Sequence, residues 1–254
     1  MEAFEQVFSL KGKTALITGG ATGLGLAMTR CMIAAGAKVI VVSSSSAEKY
    51  QEVLASFGDR AVYYSFNVTD TDHTEEFAKK VLAENGTVDI LVNNAGMQER
   101  HPSVEFPIES WNTVLNVNLT SAFILSQLAA KVMIPKGYGK IINTASLLAF
   151  QGGYTVPAYA AAKGGIKQMT MAFANELSEK GINVNAIAPG YMDTDNIAGI
   201  KADEARLKTI MDRIPAKRLG KPEDLNGVLL YLASHASDYS CGSVIIVDGG
   251  WMGR

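Results

Sequence analysis

The sequence predicts an α/β fold, a doubly wound parallel sheet of about seven strands with helices on both faces. Three observations carry this. Seven short runs rich in β-branched and aromatic residues alternate with longer amphipathic stretches along all 254 residues, the pattern of repeated strand–helix units. The first six runs are nearly apolar throughout, as strands covered on both faces must be. No linker, low-complexity block or internal repeat interrupts the alternation, so a single domain over 1–254 is expected.

The elements follow in order. TALIT (14–18) is the first strand and runs straight into TGGATGLG (18–25) and a helix over 24–35. KVIVV (38–42) is the second, closed by SSSS (43–46), read as a loop. AVYYSFNV (61–68) is the third, with a helix over 72–84 behind it. VDILVNN (88–94) is the fourth, followed by a long helix over 107–134 that holds no internal proline or glycine. KIINTAS (140–146) makes the fifth strand, and Pro157 is well placed to open the next helix. INVNAIA (182–188) is the sixth, another helix follows Pro222, and SVIIVDGG (243–250) is the seventh.

Composition narrows the functional classes. A formal charge of −2, with Lys and Arg scattered, offers no general attraction to nucleic acid or an anionic membrane. Cys31 and Cys241 stand alone and read as small buried hydrophobes, not a disulfide framework. His73, His101 and His235 lack metal-ligand spacing, so no metal is expected. The start MEAFEQVFSLKGK has no apolar leader core, and no apolar run approaches the ~18 residues of a membrane span. A cytoplasmic protein is expected.

Two local patterns carry chemistry. In TGGATGLG the glycines at 19, 23 and 25 allow a tight turn, close approach of a pyrophosphate and helix–strand packing, and the following helix start presents free N–H groups to phosphate. Gly19, Thr22, Gly23, Leu24 and Gly25 are therefore the candidate nucleotide contacts. In AYAAAKGG (158–165), Tyr159 and Lys163 lie one helical turn apart on one face. Free tyrosine, with a pKa of about 10, is a poor base at neutral pH, and a nearby ammonium favours its phenolate. With nine tyrosines in the chain, such a pair alone can also arise without function.

The TGxxxGxG spacing, NNAG (93–96), NVNL (116–119), Ser146, YAAAK (159–163) and PGYMDT (189–194), in that order, resemble the short-chain dehydrogenase/reductase family over the whole chain. The resemblance implies a Rossmann-type fold with a cofactor-binding half at roughly 10–135 and a catalytic and substrate-lid half at roughly 136–254. It implies that Tyr159 is the acid/base, that Lys163 lowers its pKa and holds the nicotinamide ribose, that Ser146 orients the substrate oxygen, and that Asn118 kinks the long helix and holds a proton-relay water. It places Asn67 and Val68 beside the adenine, Asn94, Ala95 and Gly96 along its ribose, and Pro189, Gly190, Met192 and Thr194 over the nicotinamide. Ser146 could equally cap a turn, and Asn118 could face solvent.

The second strand ends in serines, with neither the acid that suits the NAD ribose nor the arginine that suits the NADP phosphate. Ser43 and Ser44 can bond either form, and Lys49 is the nearest cation; NAD is favoured, with NADP possible. FQGG (150–153) and the tail DGGWMGR (248–254) are similar to family members that act on keto and hydroxy sugar acids. Such a substrate carries a carboxylate, for which Arg100 and His101 are the candidate cations, with Gln151, Tyr154 and Tyr191 beside the same cleft. The segment 195–214 corresponds to the variable lid, most of whose charges read as a solvated helix face. The family resemblance also implies a homotetramer, in which the small residues around Lys163 would allow close subunit approach and Arg254 would reach a neighbouring site. A ketoacyl reductase acting on carrier-protein substrates and a non-catalytic nucleotide sensor are the alternatives.

Overall fold

The computed structural model describes residues 6–254; the first five residues of the N-terminal stretch, read above as lacking a leader core, lie outside it. Seven strands, β1 (Thr14–Thr18), β2 (Lys38–Ser43), β3 (Ala61–Ser65), β4 (Ile90–Asn93), β5 (Gly139–Thr144), β6 (Ile182–Pro189) and β7 (Val244–Val247), form one sheet in the order β3-β2-β1-β4-β5-β6-β7. Every neighbouring pair is parallel. The chain leaves β1 toward β2 and β3, then returns to β4 on the other side of β1. That reversal opens a crevice at the carboxyl ends of β1 and β4, where open α/β sheets bind ligands.

Alternate residues of each strand feed opposite faces. Ile17, Val39, Val41 and Val92 pack with Met28 and Met32 of α1 (Gly23–Ala34) and with Leu229 and Leu232 of α9 (Asn226–Ala233). Leu16, Ile40, Val42 and Leu91 pack on the other side, against α3 (Thr74–Asn85), α5 (Ser121–Met133) and α6 (Pro157–Leu177). Between these lie α2 (Gln51–Ala55), α4 (Ile108–Leu115), α7 (Ala198–Lys201) and α8 (Glu204–Arg213).

Strand ends are shorter than the sequence pattern predicts, for local reasons. β3 stops at Ser65 because Asn67 Oδ1 accepts from the backbone N and Oγ1 of Thr69, closing a turn. β7 stops at Val247 because Gly249 and Gly250 take positive φ of 65° and 92°. Ser146 lies two residues beyond β5, in extended backbone.

The predicted continuous helix over 107–134 is broken. A π-helical turn, Asn116–Thr120, sits between α4 and α5. Asn118 explains the break: its Nδ2 donates to Val114 O one turn back (2.9 Å) and to Met97 O across the crevice (2.7 Å). The extra residue in that turn aims the side chain inward. The whole run Ile108–Lys136 is long and apolar enough, by length and composition, to cross a membrane, against the sequence expectation that no segment comes close. Val114, Ala122, Leu125, Ala130 and Met133 within it are buried in this fold.

Candidate active site

The glycine turn fits a pyrophosphate. Gly19 and Gly23 hold φ of 66° and 52°, values that an L side chain rarely adopts. A Cβ on Gly25 would run into the Gly19 carbonyl and stand 2.6 Å from Asn94 Nδ2. Asn94 Nδ2 donates to Thr18 O (3.0 Å), while Thr18 Oγ1 accepts from the backbone N of Asn94 and of Ala95, both at 3.0 Å. This network binds the end of β1 to the end of β4. At the start of α1, the Thr22 hydroxyl makes no capping bond and no acid occupies the first turn. No capping side chain therefore competes with an anion for the first amides of the helix. Gly25→Ala is expected to cost about 1–3 kcal/mol through overpacking and to weaken dinucleotide binding. Thermal unfolding with and without NADH checks it; an unchanged Tm and affinity would contradict the packing.

The loop after β6 closes over this turn. Thr194 Cγ2 lies 3.8 Å from where a Cβ on Gly23 would stand, so the structure brings 189–194 against the glycine turn. Gly190 donates its N–H to Val247 O (2.9 Å), and a Cβ there would press on Asp248. Met192 differs from expectation: its side chain is buried in the core with Leu225 and Leu229, and it pairs with Gly220, so packing claims it.

Ser146, Tyr159, Lys163 and Asn118 converge at the ends of β4 and β5. Pro157 opens α6 as expected, which puts Tyr159 in its first turn and Lys163 one turn on. Ser146 Oγ accepts from Leu148 N (3.2 Å), capping the turn Leu147–Ala149, and lies close enough to act on the Tyr159 hydroxyl. The capping and the site readings of this serine thus hold together. Lys163 is buried and donates its Nζ to Thr144 O at 2.7 Å. Asn118 Oδ1, also buried, has no partner among the described residues. It lies 2.8 Å, and Lys163 Nζ 3.8 Å, from the point a Gly96 Cβ would occupy. Glycine at 96 leaves room for a small polar bridge between them.

The electrostatics correct one expectation. Burial pushes the Tyr159 phenol above its ordinary value, and the Ser146 hydrogen bond pulls it back only in part. Lys163 does not offset that burial here. Its Nζ is 5.4 Å from the Tyr159 ring centroid and turned to a carbonyl, and burial drives its own pKa down to about 8.

A cleft of about 470 Å³ opens in front of Tyr159 and Ser146, floored by Pro189, Gly190 and Leu147 and roofed by α8. Gln151, Tyr154, Tyr191 and Arg100 line it, as expected from sequence. Trp251 shapes one wall: its ring centroid is 4.8 Å from that of Tyr191, and its Nε1 donates to Gln151 Oε1 at 3.4 Å. Two charged lining residues escaped the sequence reading, Arg206 and Arg213 of α8. Their spacing of seven, with Thr209 and Ile210 between, is the helical signature of one face. Other α8 charges do face solvent, where Lys208 pairs with Asp212.

Several candidates lie elsewhere. His101 turns to Glu99 (3.7 Å) and edges onto Phe106, outside the cleft lining. Arg254 donates to Asp212 O of its own chain at 3.1 Å. Ser43 and Ser44 end β2 on the correct sheet edge, and Lys49 lies over the Tyr50 ring. Asn67 and Val68 follow the end of β3 on that edge, with Val68 packed partly into the core.

Comparison with known proteins follows the same lines. A family model described as enoyl-(acyl carrier protein) reductase matches residues 19–252. A Bacillus subtilis (strain 168) protein named 2-dehydro-3-deoxy-D-gluconate 5-dehydrogenase is 47% identical over 255 residues, covering 100% of each chain. The Escherichia coli (strain K12) protein of that name is 45% identical over 248 residues, covering 97% of this chain and 98% of its own. The crystal structure of a gluconate 5-dehydrogenase from Burkholderia cenocepacia J2315 in complex with NADP and tartrate is 34% identical. It superposes with a TM-score of 0.94 over 99% of each chain.

Proposed function

Because this chain belongs to the short-chain dehydrogenase/reductase family, we propose that it is an NAD-dependent oxidoreductase interconverting a hydroxyl and a ketone on a sugar acid, as a 2-dehydro-3-deoxy-D-gluconate 5-dehydrogenase. The observation that carries this reading is the meeting, in one cleft, of the Ser146 and Tyr159 hydroxyls with arginine side chains and, among the described residues, no carboxylate. The two dehydrogenases of that name, at 45% and 47% identity, support the substrate.

A bound nicotinamide dinucleotide would supply hydride exchange with the carbinol carbon. Gly19, Thr22, Gly23, Leu24 and Gly25 would hold its pyrophosphate end, with Ser43, Ser44, Asn67 and Val68 toward the adenosine. Asn94, Ala95 and Gly96 would line the adenine ribose, and Lys163, Pro189, Gly190 and Thr194 would border the nicotinamide half. The chain's own groups handle orientation and the proton. In the reducing direction the ketone oxygen accepts from the Ser146 and Tyr159 hydroxyls. Tyr159, whose raised pKa keeps it protonated at neutral pH, gives up the proton. The Lys163 ammonium then favours the phenolate left behind, and Asn118 Oδ1 faces the space through which a proton can return.

NAD is preferred because β2 ends in Ser43–Ser45 without a free cation, Lys49 being over the Tyr50 ring at 5.6 Å. The Burkholderia relative, solved with NADP, favours running both nucleotides, and it also supports gluconate 5-dehydrogenase as the second reading. A cytoplasmic homotetramer completes the proposal. Both cysteines are free, Ile108 and Phe123 expose apolar surface, and a Cβ on Gly164 would meet nothing within 4 Å, leaving α6 open to a mate.

Keto acids with and without a 3-hydroxyl, assayed with NADH and NADPH in parallel, test the substrate. The 3-deoxy acid with NADH is expected to lead by about 10-fold or more, the size of a one-group discrimination. Turnover confined to carrier-protein thioesters would sink the reading.

A further inference from the structure

Arg206 and Arg100 line the same cleft from distant parts of the chain, one from the lid helix α8 and one from the segment after β4. Neither forms an ion pair among the described residues. Among the described residues Arg100 Nη1 and Nη2 donate to the Tyr154 carbonyl (3.5 Å) and Gln98 Oε1 (3.3 Å), both at the long end of hydrogen bonding. Among the described residues no Asp or Glu lines the cleft, so this pocket is locally cationic in a chain of net charge −2. Burial and the nearby charge of Arg206 both push Arg100 below its ordinary pKa. Two nearby cations repel until an anion enters between them.

We propose that Arg206 and Arg100 form a two-arginine clamp for the substrate carboxylate, so that the lid helix itself recognises the acid end. This rests on the sugar-acid reading above and deepens it. Arg213, though it lines the same cleft, is assigned a different part. Its guanidinium stacks 3.9 Å from the Trp251 ring, and seven residues separate it from Arg206, about 10 Å along a helix, too far for one carboxylate to bridge. Arg213 instead pins α8 to Trp251, and through Trp251 to Gln151, holding Arg206 over the pocket. The clamp makes the lid a specificity element: an uncharged ketone gains nothing from it.

The test compares 2-dehydro-3-deoxy-D-gluconate with its C1 amide, on the full-length enzyme with saturating dinucleotide, for wild type, Arg206→Gln and Arg206→Lys. Thermal unfolding verifies that each variant is folded. Arg206→Gln is expected to lower kcat/KM for the acid by about 30-fold, mostly through KM, and for the amide by less than about threefold, the loss of a charge-assisted bidentate contact. Arg206→Lys should restore part of the acid preference, since it keeps the charge and loses the fork. Equal losses on acid and amide, or an unchanged KM for the acid, overturn the clamp. Full wild-type turnover of the sugar acid with that result would leave the proposed function standing. An Arg206-dependent preference for other keto acids over their amides, with no turnover of the sugar acid, would overturn the substrate reading and leave the clamp.

Discussion

Tyr159→Phe is expected to lower kcat for ketone reduction by about 10²–10⁴-fold, the usual worth of a positioned general acid, which corresponds to about 3–5 kcal/mol of transition-state stabilisation. The phenol lies in the cleft wall beside Ser146, and burial keeps it protonated at neutral pH. Removing the hydroxyl deletes the proton source while leaving the ring, its packing and the Ser146 cap on Leu148 N. Dinucleotide affinity should stay within about twofold and Tm within about 2 °C, because the lost hydrogen bond is worth only about 1 kcal/mol. KM should change less than kcat, since the missing proton transfer matters only in the transition state. Steady-state kinetics with thermal unfolding measure all of this. Residual activity within tenfold of wild type on every keto acid would show that the proton comes from elsewhere.

Much of this site was legible because its parts are local patterns. The glycine turn follows a strand and opens a helix, and Tyr159 and Lys163 are spaced by one turn behind a proline that starts that helix. The strand runs carried the sheet for the same reason, being apolar on both faces. What escaped depends on segments far apart in the chain. How strongly Lys163 acts on the phenol turns on where Nζ points, and Thr144, from another element, holds it. The arginines at 206 and 213 share one helix face by spacing alone, yet only the placement of α8 over the cleft tells which side of that helix meets water. Met192 looked like its loop neighbours, but the pairing with Gly220, a partner 28 residues on by number, turned it inward. Local periodicity names an element; the contacts of its ends decide its chemistry.

Lys163→Met is expected to abolish turnover and to make the protein more stable. Lys163 is 3% exposed and has a carbonyl, not a carboxylate, as its partner. Burial lowers its pKa from 10.5 to about 8, a difference worth roughly 3 kcal/mol against the charged folded form. Methionine removes that penalty but leaves the Thr144 carbonyl without its donor, which costs about 1–3 kcal/mol. The balance is a gain of about 1 kcal/mol at pH 7, or about 2–4 °C in Tm for a chain of this size. The pH dependence fixes the cause. Between pH 8 and 10.5 the unfolded chain holds more protons than the folded one at this site, so wild-type stability contributed here rises with pH through that window. Below pH 8 both states are protonated and the penalty is constant. The methionine variant should lose this alkaline rise while keeping the rest of the profile. In kinetics the signs reverse: the wild-type rate should fall as pH climbs through about 8, when the ammonium that favours the phenolate is lost. A variant less stable than wild type at pH 7 by more than about 2 kcal/mol would mean that the carbonyl bond outweighs burial. The lysine would then be a structural strut, not a charge held in the core at a cost for catalysis.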